Sequence, residues 1–181
     1  MSRPIRAVVI TGNGVNCEKE MALACRLGGA DEIDIVHIAE LLAGRVRLGD
    51  YHLINFPGGF LDGDDLGSAK AGVNRLLYAP VAGRNDHLID QLRAAIADGK
   101  LVIGVCNGFQ LLLKAGLLPA LAPDKARQTV TLTHNEGGRF EDRWCWLQVD
   151  LESPCVFTRG LERLYLPVRH GEGKFVAESA A

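Results

Sequence analysis

Four short, predominantly apolar runs, each followed by a stretch that forms helix, constrain this chain more than anything else in it. Ile5–Ile10, Ile33–Ile38, Tyr51–Phe56 and Leu101–Val105 are rich in valine, isoleucine and leucine. Strands buried on both faces read this way, because neither face needs a polar side chain. Helical stretches fall between them: 17–27, stopped by Gly28-Gly29; 39–43; 66–78; 87–98, closed by Gly99; and 107–114 after the last run. Alternating strands and helices require crossovers, and so predict an open, mostly parallel α/β sheet with helices on both faces. The pattern changes after Pro123. Thr129–Thr133, Trp146–Leu151, Leu161–Val168 and Lys174–Ala177 read as strands with little helix between them, so antiparallel strands are expected in the C-terminal part, as an extension or edge of the main sheet.

The 181 residues suffice for one domain with a proper core, and not comfortably for two. A formal charge of −2 gives no electrostatic reason to expect nucleic acid or an acidic membrane. No apolar run approaches the length of a membrane span, and the N-terminus leads straight into a strand, so no signal peptide is expected. The five cysteines contain no Cys-x-x-Cys pair, which suggests neither a disulfide framework nor a zinc site, and predicts a reducing, cytoplasmic setting.

The run that ends at Val105 carries the chemistry. Cys106 stands between a strand and a helix, flanked by Gly104 and Gly108. That is the layout of a nucleophile elbow, with sulfur where hydrolases of the Gly-x-Ser-x-Gly type carry a hydroxyl. Small flanking residues allow the sharp turn, and the helix N-terminus behind the sulfur favours a thiolate. A nucleophilic thiol needs a base. Of the five histidines, His170 lies in Arg169-His170-Gly171-Glu172-Gly173 at the end of a strand-like run. Two residues apart on extended backbone, His170 and Glu172 point to the same side, so the carboxylate can orient the imidazole. The expected oxyanion donors are the backbone N–H of Asn107 and one from Pro57-Gly58-Gly59-Phe60, which follows the third strand and therefore shares the carboxyl edge of the sheet with the elbow.

Pro57-Gly58-Gly59-Phe60, the elbow Gly104–Gln110 and His170-Gly171-Glu172-Gly173 together resemble the three blocks of class I glutamine amidotransferases, which have a flavodoxin-like fold. More narrowly they are similar to the glutaminase subunits of phosphoribosylformylglycinamidine synthase, the PurQ family. Asn16-Cys17-Glu18, Gly63-Asp64, Ala115–Pro119, Arg139-Phe140 and Arg143-Trp144 carry the same likeness across nearly the whole chain. The resemblance implies that Cys106 attacks the side-chain amide of glutamine to form a thioester, that His170 moves the protons, and that Glu172 orients it. It implies an oxyanion hole from Gly59 and Asn107, and a glutamine pocket that includes Gly58, Phe60, Gln110, Asn135 and Gly137. It places no cofactor in this chain. ATP and magnesium belong to a PurL-type synthetase partner, which receives the ammonia with the help of a small PurS-type bridging subunit. That partner converts formylglycinamide ribonucleotide to its amidine.

The family continues well past the His-Gly-Glu block, whereas this sequence stops nine positions after Glu172, so it reads as truncated at the C-terminus. The stretch 67–86 is expected to form an extra loop or partner contact. Alternatives are a glutaminase serving CTP or GMP synthesis, a non-catalytic scaffold, and a general cysteine hydrolase. Cys17, Cys25, Cys145 and Cys155 read as structural or surface thiols, and His134 as a structural histidine. Trp144 and Trp146 read as core or interface. Asp62, Asp64 and Asp65 are too few for a calcium loop, so no metal is expected.

Overall fold

A computed structural model describes residues 3–120 and 127–178, in two compact units. One holds the chain up to Leu132 and again from Phe175; the other is Thr133–Lys174. The break in pattern at Pro123 lies outside the described residues.

The first unit is built on β1 (Arg6–Thr11), β2 (Glu32–His37), β3 (Leu53–Phe56) and β4 (Leu101–Gly104), hydrogen-bonded in the order β2-β1-β3-β4, all parallel. Side chains alternate across a strand, and β1 sorts accordingly. Val8 and Ile10 join the larger core with Ile54, Phe56, Leu88, Leu92 and Leu111, while Ala7 and Val9 face Cys25 and Met21 on the other side. Helices cover each face: α1 (Glu18–Leu27) the smaller core, and α3 (Lys70–Tyr78), α4 (Leu88–Ala97) and α5 (Asn107–Lys114) the larger. The short α2 (Ile38–Leu42) follows β2. Two histidines are used as helix caps. His37 Nδ1 accepts from the Ala39 N–H at 3.1 Å, and the N–H of His87 donates to Asp90 at 3.0 Å. A third, His52, accepts from the Arg6 N–H at 3.0 Å.

The stretch 67–86 is not an extra loop. Its centre is α3, which buries Val73 and Leu76 in the main core. The expected antiparallel extension of the main sheet is replaced by separate ladders. β5 (Val130–Thr133) pairs with β8 (Lys174–Ala177), and β5 packs Val130 and Leu132 on Leu113 of α5.

The second unit is an antiparallel pair, β6 (Glu141–Gln148) and β7 (Arg163–His170), in register from Glu141 opposite His170 to Gln148 opposite Arg163. The strand expected at 146–151 therefore begins at Glu141. Its polar start, Glu141-Asp142-Arg143, hides it from a hydrophobic pattern, because neither face of this ladder is buried. Trp144 and Trp146 are exposed rather than core. Both rings pack on Tyr165, with centroids 5.0 and 4.8 Å away. Cross-strand alternation puts this stack on the face opposite His170.

Candidate active site

Parallel register brings Thr11, Phe56 and Gly104 to one edge of the main sheet, so the three loops that follow β1, β3 and β4 start side by side. Backbone contact locks the first two together. Gly14 (φ +90°) sits against the Phe60 carbonyl, and a β-carbon on Gly59 (φ +122°) would fall 2.5 Å from the Gly14 oxygen. The Phe60 N–H donates to that same oxygen at 2.8 Å. Only glycine fits either place.

Cys106 has φ +56° and ψ −116°, a strained conformation for a residue with a side chain. Its neighbours enforce it. A β-carbon on Gly104 would lie 2.5 Å from the Gly108 oxygen, and one on Gly108 would overlap the Phe56 carbonyl. Helix α5 thus lies directly against the ends of β3 and β4, and the thiol is turned out at the N-terminus of the helix. It opens on a cavity of about 430 Å³ that is lined also by Gly58, Gly59, Phe60, Cys17 and Glu20.

Asn107, 3% exposed, ties the elbow to the glycine loop through its side chain. Its Oδ1 accepts from the Leu61 N–H at 3.3 Å, and its Nδ2 donates to Asp64 at 3.2 Å and to Gln110 Oε1 at 3.3 Å. Asp64 in turn accepts from the Ala69 N–H at 2.9 Å. Sequence reasoning gave Asn107 only a backbone role; nothing in the pattern signals the amide bridge. Asp62 pairs with Arg75 at 2.6 Å. Among the described residues, no cluster of three or more His, Cys, Asp or Glu is placed to hold a metal.

The second unit carries the histidine. His170 ends β7, and its ring packs so closely on Gly173 that any β-carbon there would collide with it. Asn135, 9% exposed, holds the surrounding loop. Its Nδ2 donates to the carbonyls of His170 and Arg139, both at 2.8 Å, and its Oδ1 accepts from the Gly173 N–H at 3.1 Å. Two carbonyl acceptors on one side and a backbone donor on the other fix which end of the amide is oxygen. His170 Nδ1 lies 2.9 Å from that oxygen, so Nδ1 carries the proton and donates, which leaves Nε2 as the basic nitrogen. Asn135 was expected in the glutamine pocket; its amide is occupied by the histidine loop. Glu172 lies 3.9 Å from Nδ1 of His134, which is exposed rather than structural, and Gly137 sits in the exposed turn closed by the Gly138 N–H to Asn135 O bond.

A parallel α/β sheet with a strained cysteine at its carboxyl edge, between strand and helix and beside a glycine loop, has the layout of a nucleophile elbow. The sequence matches the CobB/CobQ-like glutamine amidotransferase domain over residues 4–181, and the chain belongs to that family. It is 44% identical over 172 residues to phosphoribosylformylglycinamidine synthase subunit PurQ of Dehalococcoides mccartyi, covering 95% of this chain and 63% of that one. It is 39% identical over 173 residues to the PurQ subunit of Methanococcus maripaludis strain C7, covering 96% and 60%. The solved structure of PurLQS from Thermotoga maritima superposes with a TM-score of 0.71 at 26% identity, over 97% of this chain and 70% of that one. The chain therefore spans about three-fifths of the length of these curated relatives. No helix among the described residues is long and apolar enough to cross a membrane.

Proposed function

We propose that this chain is the glutaminase part of a phosphoribosylformylglycinamidine synthase. The observation that carries the reading is the forced left-handed turn at Cys106, facing a cavity walled by Gly58 and Gly59, in a chain 44% identical to a PurQ subunit.

The chemistry follows from the residues. His170 Nε2 takes the proton of the Cys106 thiol as the sulfur attacks the carboxamide carbon of glutamine, and charge develops on the amide oxygen. The N–H groups of Gly59 and Asn107 stabilise that charge. Neighbouring donors are already engaged within the loop, Phe60 with Gly14 and Leu61 with the Asn107 side chain. As the tetrahedral centre collapses, the C–N bond breaks, and His170 delivers a proton to the departing ammonia. Water, deprotonated by His170, then cleaves the thioester to glutamate. Asn135 holds the His170 tautomer that leaves Nε2 free for this shuttle, and Glu172 is the carboxylate of the triad. Ammonia passes to a PurL-type synthetase, which uses ATP and magnesium to aminate formylglycinamide ribonucleotide, with a PurS-type subunit bridging the two.

The test is glutamine hydrolysis by the full chain, alone and with both partner subunits, ATP and formylglycinamide ribonucleotide. The reading expects hydrolysis that rises sharply in the complex. It expects Cys106→Ala to abolish glutamine use and to leave ammonia-dependent synthesis intact. Loss of both activities in that variant, or no hydrolysis by the assembled complex, overturns it.

A further inference from the structure

The cavity at Cys106 is shared by a second thiol. Cys17 lines it from the loop that follows β1, where its backbone carbonyl accepts from the Met21 N–H at the start of α1. Gly58 measures how close the two sulfurs come. A β-carbon placed there would lie 3.7 Å from Sγ of Cys106 and 3.7 Å from Sγ of Cys17. The sulfurs therefore lie no further apart than twice that distance, with no side chain between them at Gly58. Both cysteines are exposed to solvent, and a small oxidant can reach either.

The geometry points to Cys17 and Cys106 as a reversible oxidation site, in which a hydroperoxide oxidises Cys106 and Cys17 resolves the product as a disulfide. In the first step the Cys106 thiolate attacks a peroxide oxygen. An S–O bond forms, the O–O bond breaks, and hydroxide leaves, giving Cys106–SOH. In the second step the Cys17 sulfur attacks that sulfur. The S–S bond forms, the S–O bond breaks, and water departs with the Cys17 proton. Two thiols lose two electrons and the peroxide is reduced to water. A low-molecular-weight dithiol reverses the reaction by exchange.

The order of steps rests on the surroundings of each sulfur. Cys106 sits at the N-terminal end of α5 with its side chain open to the cavity. Burial pushes the Cys17 thiol up, with the charges of Glu20, Cys106 and Glu18 acting in the same direction, so Cys17 is the protonated partner and the later one to react. Gly58 leaves room beside both sulfurs: a β-carbon there would lie 3.2 Å from the Cys106 β-carbon, tighter than ordinary contact. With the bridge closed, the nucleophile is unavailable and the cavity is occupied. It is also protected, because a sulfenic acid that meets a thiol does not proceed to the irreversible sulfinic acid.

Hydrogen peroxide treatment of the full chain, at a dilution that keeps it monomeric, tests this. Digestion without reduction is expected to yield a peptide pair joined through Cys17 and Cys106, with two of the five thiols lost and both restored by dithiothreitol. In Cys17→Ser the same treatment is expected to turn sulfinic acid at Cys106 from a trace into the main product. A Cys106 that over-oxidises equally in both proteins overturns the proposal, as does a disulfide to Cys25, Cys145 or Cys155, or a cross-linked dimer. The wild-type peptide map is decisive even if the variant folds poorly. The readout is sulfur chemistry rather than glutamine turnover, so it stands or falls separately from the amidotransferase reading.

Discussion

Cys106 in the first unit and His170 in the second are held by different kinds of structure. Cys106 is positioned by backbone against backbone: Gly104 on Gly108, Gly108 on Phe56, Gly14 on Phe60. Behind it stands a core whose central residues, Val8, Ile54, Leu88 and Leu92, are wholly buried. His170 and its loop are held by a side-chain amide, that of Asn135, at the end of a ladder whose faces stay open to solvent. A site assembled from tight backbone contacts tolerates almost no added atom. A loop held by a hydrogen-bonded amide loosens when that amide is lost, with little effect on the fold elsewhere.

The difference predicts a ranking. Gly108→Ala has the largest effect, because the new methyl meets the Phe56 carbonyl, a backbone atom that cannot step aside. A loss of roughly 3 kcal/mol is expected, visible as a lower Tm, together with loss of Cys106 reactivity toward electrophiles. If the variant melts like the wild type, the turn is looser than the geometry requires. Asn135→Ala is expected to reduce kcat in the assembled complex by about 10²-fold through the misplaced base, with KM changed little. A matching rise in KM with kcat intact would return Asn135 to the glutamine pocket.

Alkaline pH probes the first region by itself. The Tyr51 phenol is pushed up to about 12 by burial and by the hydrogen bond it donates to Asp34 at 2.9 Å. The folded state then holds this proton more tightly than the unfolded chain does. Its contribution is complete below the ordinary phenol value of about 10 and is lost as pH rises through about 12. Unfolding titrations between those values should show a decline of about 2 kcal/mol that Tyr51→Phe removes. An unchanged decline would assign it to other groups. The smallest effect is on the open ladder. Tyr165→Ala removes the ring under Trp144 and Trp146 and should cost about 1 kcal/mol, with a clear change in tryptophan fluorescence. A cost several times larger would mean that this face is more than a solvent-exposed stack.

The same contrast explains what could be read from the sequence. The parallel sheet was legible, because strands buried on both faces carry unbroken apolar runs, and so was the elbow, because only glycine fits at 104 and 108. The bridge from Asn107 to Asp64 and the grip of Asn135 on His170 were not. Each joins residues far apart in the chain, 43 and 35 positions, through amides that leave no periodic mark. The start of β6 was missed because its charged residues face solvent. Cys17 was set aside as structural because its place beside Cys106 in one cavity exists only in three dimensions.

The account rests most heavily on Cys106 as a nucleophile with a glutamine-shaped site in front of it. Incubation of the folded full chain, alone and with the proposed partner subunits, with the glutamine-analogue electrophile 6-diazo-5-oxo-norleucine, followed by peptide mass mapping, tests that directly. The account predicts one adduct, on Cys106, suppressed by excess glutamine and absent in Cys106→Ala. Labelling spread over the other exposed cysteines, or labelling of Cys106 that glutamine does not suppress, would contradict it.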